Sequence, residues 1–146
     1  HWKWALEPNA REKASFLKEN ILPIQESGQL RFIDVKNGIF FTENISFRFA
    51  FGHTHAMMLP QINYKGNTII YMADLLPSVA HISFQQKTAY EMFPLKTLTE
   101  KRDFLNETAD KKYIIYLEHD PVIECCTLKH TEKGVRLNED CTLQEI

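Results

Sequence analysis

Short apolar runs typical of β-strands recur along the first half of the chain, and turn signals separate them. The runs are Leu30–Asp34, Ser46–Phe51, Met57–Ile62 and Thr68–Met72. In Ser46–Phe51 three phenylalanines share one face at a period of two, so we expect this strand to be at least half buried. Thr68–Met72 is apolar on both faces, which predicts a central strand covered on both sides. Because proline cannot donate to a strand ladder, we expect Pro60 to lie at a sheet edge or a bulge.

Three further apolar runs lie in the second half of the chain. Tyr113–Leu117 is apolar on both faces and predicts another strand that is covered on both sides. Val122–Leu128 and Val135–Leu137 flank a turn signal at Thr131–Gly134, which predicts a final antiparallel pair. Lys65–Asn67, between the runs Met57–Ile62 and Thr68–Met72, predicts a tight hairpin turn.

The first segment with helical spacing follows an irregular lead-in over residues 1–8. Asn9 offers an N-cap and Glu12 stands three residues later, as in a variant of the capping box. We predict a helix from there to about Leu22, because Pro23 cannot continue a helix without losing a hydrogen bond.

A second helix is predicted over Leu98–Asp110, with Thr97 and Glu100 as a capping box at its start. The preceding residues 83–95 have no clean period and are interpreted as a loop with some helix. A connection of that length in a compact domain is often functional. Because strands and helices interleave, the chain is predicted to be an α/β protein with a mixed sheet and helices on at least one face.

Length and composition restrict the class of protein. The chain has 146 residues, which suits one domain with a hydrophobic core. Its formal net charge of −2 gives no electrostatic case for a nucleic-acid or acidic-membrane partner. No apolar run approaches the roughly 20 residues that span a bilayer. We therefore expect neither a nucleic-acid nor a membrane partner.

The cysteine pattern favours a reducing compartment. Cys125, Cys126 and Cys141 are an odd number with one adjacent pair, which makes a poor disulfide framework. No Cys-x-x-Cys occurs, so we interpret the three as small, partly buried residues rather than as a redox or metal motif. A cytoplasmic location is expected on this basis.

Three metal-competent residues follow predicted strands. His53 comes after the phenylalanine run, Asp74 directly follows a buried strand, and His119 follows another between Glu118 and Asp120. Each has a structural alternative: a hydrogen-bonded histidine, a helix N-cap and a surface-loop histidine, respectively. Either acidic neighbour of His119 could fix its tautomer. Together the three favour a site, because ligands collect beyond the carboxyl ends of strands in parallel or mixed sheets.

These residues lie in motifs that resemble the second half of a metallo-β-lactamase-fold hydrolase. Phe51–His55 contains Gly-His-Thr and resembles that family's third metal motif. The strand within Gly66–Leu75 ends in Ala-Asp and resembles the fourth motif, and Glu118–Pro121 resembles the fifth. The order of the motifs, with a helix before the last one, also fits. The most similar branch is that of bacterial lactonases and phosphotriesterase-like hydrolases.

The resemblance implies a fold, a cofactor and roles for the three residues. The fold would be the C-terminal half of an αββα sandwich, and the cofactor would be two Zn²⁺ ions, with Mn²⁺ or Fe²⁺ as alternatives. His53 would complete the first metal site, Asp74 would bridge both ions and support the chemistry, and His119 would complete the second site. A hydroxide between the ions would attack an ester, lactone, lactam or phosphoester bond.

The chain departs from the family pattern in two places. The Pro-Gly that often follows Gly-His-Thr in the family is absent, which leaves His55 hard to place. His55 is a candidate for the substrate pocket, as are His81 and Tyr90 in the loop after Asp74; the alternative for each is a surface or structural role. The second departure is larger: the family's His-x-His-x-Asp-His motif does not occur, and His1 is the only histidine before His53.

Residues 1–146 are therefore expected to be a single partial domain that lacks the N-terminal half of the fold, either as a proteolytic or as an engineered fragment. Such a fragment should hold metal poorly, because it offers fewer than three protein ligands for each ion. The competing hypothesis is a catalytically inactive half-domain that acts only in partner packing or self-association. A homo-oligomer could form through the face that the other half would cover.

Overall fold

The structure is a computed structural model that describes residues 1–83 and 91–146. The chain divides into two compact units, His1–Val35 and Lys36–Ile146. The second unit contains the β-sheet and all three predicted metal ligands. No helix in the described ranges is long and apolar enough to cross a membrane.

The first unit corrects the predictions for its helices. Its helices are α1, Trp2–Leu6, and α2, Lys18–Glu26, so residues 1–8 are not irregular and no helix runs from Asn9 to Leu22. Asn9 and Glu12 do form hydrogen bonds with each other. Glu12 is buried, however, and its carboxylate also accepts a hydrogen bond from the Trp4 indole. These bonds stabilise a turn, and no helix begins there.

The α2 helix continues through Pro23 to Glu26. Proline has no N–H, so one carbonyl of the preceding turn loses its helical hydrogen bond. None of the α2 residues is buried, so water can satisfy that carbonyl.

The predicted strand at Leu30–Asp34 is also wrong. Within the described part of the chain this segment is irregular and belongs to neither a helix nor a sheet. Phe32 is 71% exposed, so the alternation in its sequence does not correspond to a buried face.

The second unit is built on a seven-stranded mixed sheet whose strands lie in chain order. The strands are β1 Ile39–Phe40, β2 Ile45–Ala50, β3 Met57–Tyr64, β4 Asn67–Tyr71, β5 Ile114–Tyr116, β6 Cys125–Thr131 and β7 Gly134–Cys141. All neighbours are antiparallel except β4 and β5, which are parallel and are joined by a crossover that includes helix α3, Pro94–Lys111. The runs predicted as strands from Ser46 onward are confirmed.

The two central strands are covered on both faces, as predicted. Ile69 and Ile70 of β4 point to opposite faces and are 6% and 0% exposed. Ile114 and Ile115 of β5 are buried in the same alternating way. On one face, Ile70 and Ile115 join the main core with Leu105 of α3.

The β3–β4 hairpin and Pro60 also behave as predicted. Lys65 and Gly66 both have positive φ, as a two-residue hairpin turn requires, and φ at Gly66 is +81°. Pro60 pairs with Phe47 of β2, but the pairing of β3 with β4 begins only at Gln61. The proline therefore lies where β3 has one hydrogen-bonded neighbour, which is a local edge.

Helix α3 starts earlier than predicted. It begins at Pro94, whose fixed φ suits the first turn of a helix, and not at Leu98. Thr97 and Glu100, predicted as a capping box, instead bind groups outside the helix. The side chains of Thr97 and Glu100 therefore form tertiary hydrogen bonds and do not cap the helix.

Candidate metal centre

The structure brings His53, Asp74 and His119 together. The Nε2 atom of His53 lies 3.4 Å from Oδ2 of Asp74, and Nε2 of His119 lies 3.2 Å from Oδ1. The reason is topological: β2, β4 and β5 run in the same direction, so their carboxyl ends meet at one edge of the sheet. Each of the three residues follows one of these strands.

Asp74 stands between the two imidazoles and offers one oxygen to each. It lies in a 3-10 turn, Ala73–Leu75, that begins without a side-chain cap hydrogen bond, so the alternative interpretation of Asp74 as a helix N-cap is wrong. The preceding Ala73 has φ of +43°, a conformation that non-glycine residues rarely adopt. Strained backbone of this kind is concentrated at functional sites.

The charges of the cluster support one another. Interaction with the carboxylate of Asp74, and then with that of Glu91, raises the pKa of His53 to about 9 despite its burial. The same interaction with His53 lowers the pKa of Asp74. The positive charge of His53 and the negative charge of Asp74 therefore favour each other.

The loop that carries His53 is attached to the start of α3. The carboxylate of Glu100 accepts hydrogen bonds from the N–H groups of Phe51 and Gly52, at 2.9 Å each. The N–H of Phe93 donates to the carbonyl of Gly52. A Cβ at position 52 would lie 2.2 Å from Oγ1 and 2.5 Å from Cα of Thr97, so only glycine permits this approach. The backbone at Gly52 therefore packs directly against the start of α3.

Glu91 is a site residue that sequence reasoning missed. Its side chain is 3% exposed, and its Oε1 lies 3.6 Å from Nδ1 of His53. Its Oε2 accepts a hydrogen bond of 2.6 Å from Oγ1 of Thr97. Glu91 lies in the stretch predicted as a loop, where neither periodicity nor a motif distinguishes it from other acidic residues.

The loop that carries His119 is tied to the loop after Asp74. The N–H of His119 donates to the carbonyl of Pro77. The side chain of Asp120 accepts from three backbone N–H groups, those of Val79, Val122 and Ile123. Glu118 interacts instead with the Tyr71 hydroxyl, whose pKa is raised to about 12, mainly by desolvation and then by this hydrogen bond. These contacts do not give either acidic neighbour the predicted role of fixing the His119 tautomer.

The predicted pocket residues lie in different surroundings. His55 is exposed, and its ring meets Phe51 edge-on at 5.9 Å. His81 lies in a 3-10 turn with Nδ1 2.9 Å from the Ser78 hydroxyl, and burial lowers its pKa. These contacts give neither histidine a role in the cluster. Tyr90 lies outside the described residues.

The donor set suits a divalent transition-metal ion in type but not in number. Imidazole nitrogens and carboxylate oxygens are ligands of Zn²⁺, Mn²⁺ and Fe²⁺. Across residues 1–83 and 91–146, however, no three His, Cys, Asp or Glu side chains form a group that could hold one ion. The two imidazoles approach different oxygens of Asp74, so each of two ions would receive one imidazole and one shared carboxylate.

Solved structures with a similar fold include a lactonase and two other hydrolases. AidC, a dizinc quorum-quenching lactonase, matches 97% of this chain with a TM-score of 0.71 and 18% identity. A probable metal-dependent hydrolase from Staphylococcus aureus matches 99% with a TM-score of 0.81 and 20% identity. The hydrolase AbOPH of the beta lactamase superfamily matches 92% with a TM-score of 0.75 and 17% identity.

The chain spans about half the length of these proteins, covering 52%, 50% and 50% of them. No protein-family model matches the sequence, and no curated protein matches it either. The predicted α/β class with a mixed sheet is confirmed, and the structural matches show that the fold corresponds to about half of a metallo-β-lactamase-type fold.

Proposed function

We propose that this chain, which has the fold of half a metallo-β-lactamase-type hydrolase, supplies one wall of a binuclear metal site in a metal-dependent hydrolase. The observation that carries the proposal is the position of Asp74, which presents one carboxylate oxygen to His53 and the other to His119. A bridging carboxylate between two ions needs this arrangement, because each oxygen must serve a different ion.

Each residue then has a distinct role. His53 supplies an imidazole to one ion, His119 supplies one to the other, and Asp74 joins the two. Ions of this kind, when bound, lower the pKa of water and stabilise negative charge on a carbonyl or phosphoryl oxygen. The contacts of Glu100 with Phe51 and Gly52 hold the His53 loop in place while this chemistry proceeds.

The remaining ligands have to come from outside these residues. Two ligands per ion fall below the three that catalytic zinc sites usually have. The solved structures that match are about twice as long, which supports a second half that carries the missing ligands. The substrate we propose is a small molecule with an ester, lactone, lactam or phosphoester bond.

Metal titration of the chain tests the proposal directly. We expect weak Zn²⁺ binding that is lost in His53→Ala, Asp74→Ala and His119→Ala variants. His130→Ala is the matched control, because His130 is a half-exposed histidine that is paired with Asp110 on another part of the unit. Equal loss of binding in the control would refute the assignment of the site.

The coding sequence upstream of His1 provides a second test. A His-x-His-x-Asp-His segment there would complete both ion sites, and its absence would exclude a binuclear hydrolase. Near-stoichiometric, tightly bound zinc in the 146-residue chain alone would contradict the expectation that it binds metal poorly.

A catalytically inactive half-domain is the second candidate, and one face of the sheet favours it. Phe41, Met58 and Tyr64 are 64%, 49% and 48% exposed. Met58 and Tyr64 are on the same face of β3, opposite the face that contributes Leu59 to the core, and the ring of Phe41 packs beside Phe47. A second copy of the chain could cover this apolar face and form a homo-oligomer. Sedimentation that shows a monomer at high concentration would count against this candidate.

A further inference from the structure

His53 has a carboxylate near each of its ring nitrogens. Nε2 faces Asp74 at 3.4 Å, while Nδ1 faces Oε1 of Glu91 at 3.6 Å. Nδ1 is buried, and among the described residues it has no hydrogen bond of ordinary length. A small rotation of the ring or a movement of a few tenths of an ångström would close a hydrogen bond to Glu91.

Glu91 is itself held in a fixed position. Thr97 donates a 2.6 Å hydrogen bond to Oε2, which leaves Oε1 on the side of the histidine ring. Thr97 is 4% exposed and lies in the first turn of α3, where it packs against Gly52. The start of α3 therefore positions both the backbone at Gly52, next to His53, and the Glu91 carboxylate beside the His53 ring.

The two carboxylates differ in burial, and a buried carboxylate depends more strongly on a protein donor than a solvated one does. The side chain of Asp74 is 39% exposed, so water can solvate it. The side chain of Glu91 is 3% exposed, so its oxygens depend on protein donors. The buried ammonium of Lys101 compensates part of the Glu91 charge, but its Nζ donates to the carbonyl of Ser83.

We propose that Glu91 is a positioning residue for His53: it accepts the Nδ1 proton, orients the ring and leaves Nε2 available on the Asp74 side. A histidine that binds a metal through one nitrogen usually donates the other N–H to a carboxylate or a carbonyl. That Glu91 prepares His53 for metal binding rests on the proposed function. That Glu91 accepts the Nδ1 proton can be tested in the chain without metal.

The tautomer of His53 in the metal-free chain is the first readout. Long-range ¹H–¹⁵N spectra at pH about 10, above the His53 pKa of about 9, report which nitrogen is protonated. We expect Nδ1–H in the unmodified chain and in Glu91→Gln, which keeps an acceptor oxygen. In Glu91→Leu the Nε2–H form should dominate.

Glu100→Gln is the matched control, since Glu100 holds the same loop through backbone N–H groups of Phe51 and Gly52. It should lower stability without changing the tautomer. An Nε2–H tautomer in the unmodified chain would overturn the inference, and this result does not depend on the folding of any variant. A tautomer that stays the same in a folded Glu91→Leu chain, or changes equally in Glu100→Gln, would also overturn it.

Zinc affinity is the second readout and separates this inference from the proposed function. In a Zn²⁺ titration followed through the His53 resonances, Glu91→Leu should bind roughly 10- to 100-fold more weakly, and Glu91→Gln should recover most of the loss. Failure of the unmodified chain to bind Zn²⁺ at His53 would count against the metal site. The tautomer result would still decide whether Glu91 positions the ring.

Discussion

The substitution Gly52→Ala tests how the loop that carries His53 is attached to helix α3. An added Cβ would lie 2.2–2.5 Å from three atoms of Thr97, two of them in the backbone. Ordinary van der Waals contact begins at about 3.4 Å, so the loop and the helix must separate by about 1 Å. The φ angle of Gly52 is not in the left-handed region, so space rather than backbone freedom requires glycine here.

The expected destabilisation combines two effects. Overpacking of this kind costs about 1–3 kcal/mol. A separation of 1 Å also weakens the hydrogen bonds from Phe51 and Gly52 to the Glu100 carboxylate, and each such bond to a charged group contributes about 1.5–3 kcal/mol. We therefore expect a loss of at least about 3 kcal/mol, a large part of the roughly 5–15 kcal/mol by which domains are stable.

Urea unfolding measures this loss as a fall of about 1–2 M in the midpoint. Gly38→Ala is the control: it has φ of +77° and no atom within 4 Å of the added Cβ. That variant should lose only about 1–2 kcal/mol, from backbone strain alone. The proposed attachment would be refuted if Gly52→Ala unfolds at the same urea concentration as the unmodified chain, or is no less stable than Gly38→Ala.

Three further predictions concern charged groups. Because the pKa of His53 is raised, its protonation stabilises the folded chain fully below pH 6.5, and this contribution should disappear as pH rises to about 9. Because the pKa of Asp74 is lowered, its ionisation stabilises the folded chain above pH 3.8, and this contribution is lost as pH falls below that value. Urea unfolding at several pH values should show the alkaline loss in the unmodified chain and not in His53→Gln. Arg48→Met, which removes a 2.5 Å ion pair with Glu107 but keeps the apolar stem, should cost about 1 kcal/mol by the same assay, and high salt should reduce this cost. Asp120→Ala removes the acceptor of three backbone N–H groups and should cost about 2 kcal/mol, whereas an unchanged urea midpoint would exclude its role in joining the two loops.

Much of the sheet could be predicted from local pattern. Thr68–Met72 and Tyr113–Leu117 are apolar on both faces, and only a central strand buries both faces of a short run. The turn at Lys65–Gly66 was indicated by its glycine, which adopts positive φ readily, although Lys65 also has positive φ there. Each of these signals is contained within a few residues, so no knowledge of distant contacts is needed to interpret it.

The cluster of His53, Asp74 and His119 was predicted for a related reason. Each residue directly follows a strand or a strand-like run, and strands that run in one direction place their carboxyl ends at one edge. The resemblance to known metal motifs then selected these three from the other polar residues. The distances between them, 3.4 and 3.2 Å to Asp74, come from the tertiary structure alone.

Other features depend on contacts between residues that are far apart in the chain, so local pattern could not predict them. Glu100 and Thr97 match a capping box in sequence, yet they bind Phe51, Gly52 and Glu91 because α3 begins at Pro94. The two Glu100 contacts join positions 49 and 48 residues apart, beyond the reach of any local pattern. Local pattern was thus enough to predict the strands from β2 onward and to identify three metal-competent residues, whereas packing of α3 against the Gly52 loop decided which carboxylate lies beside His53.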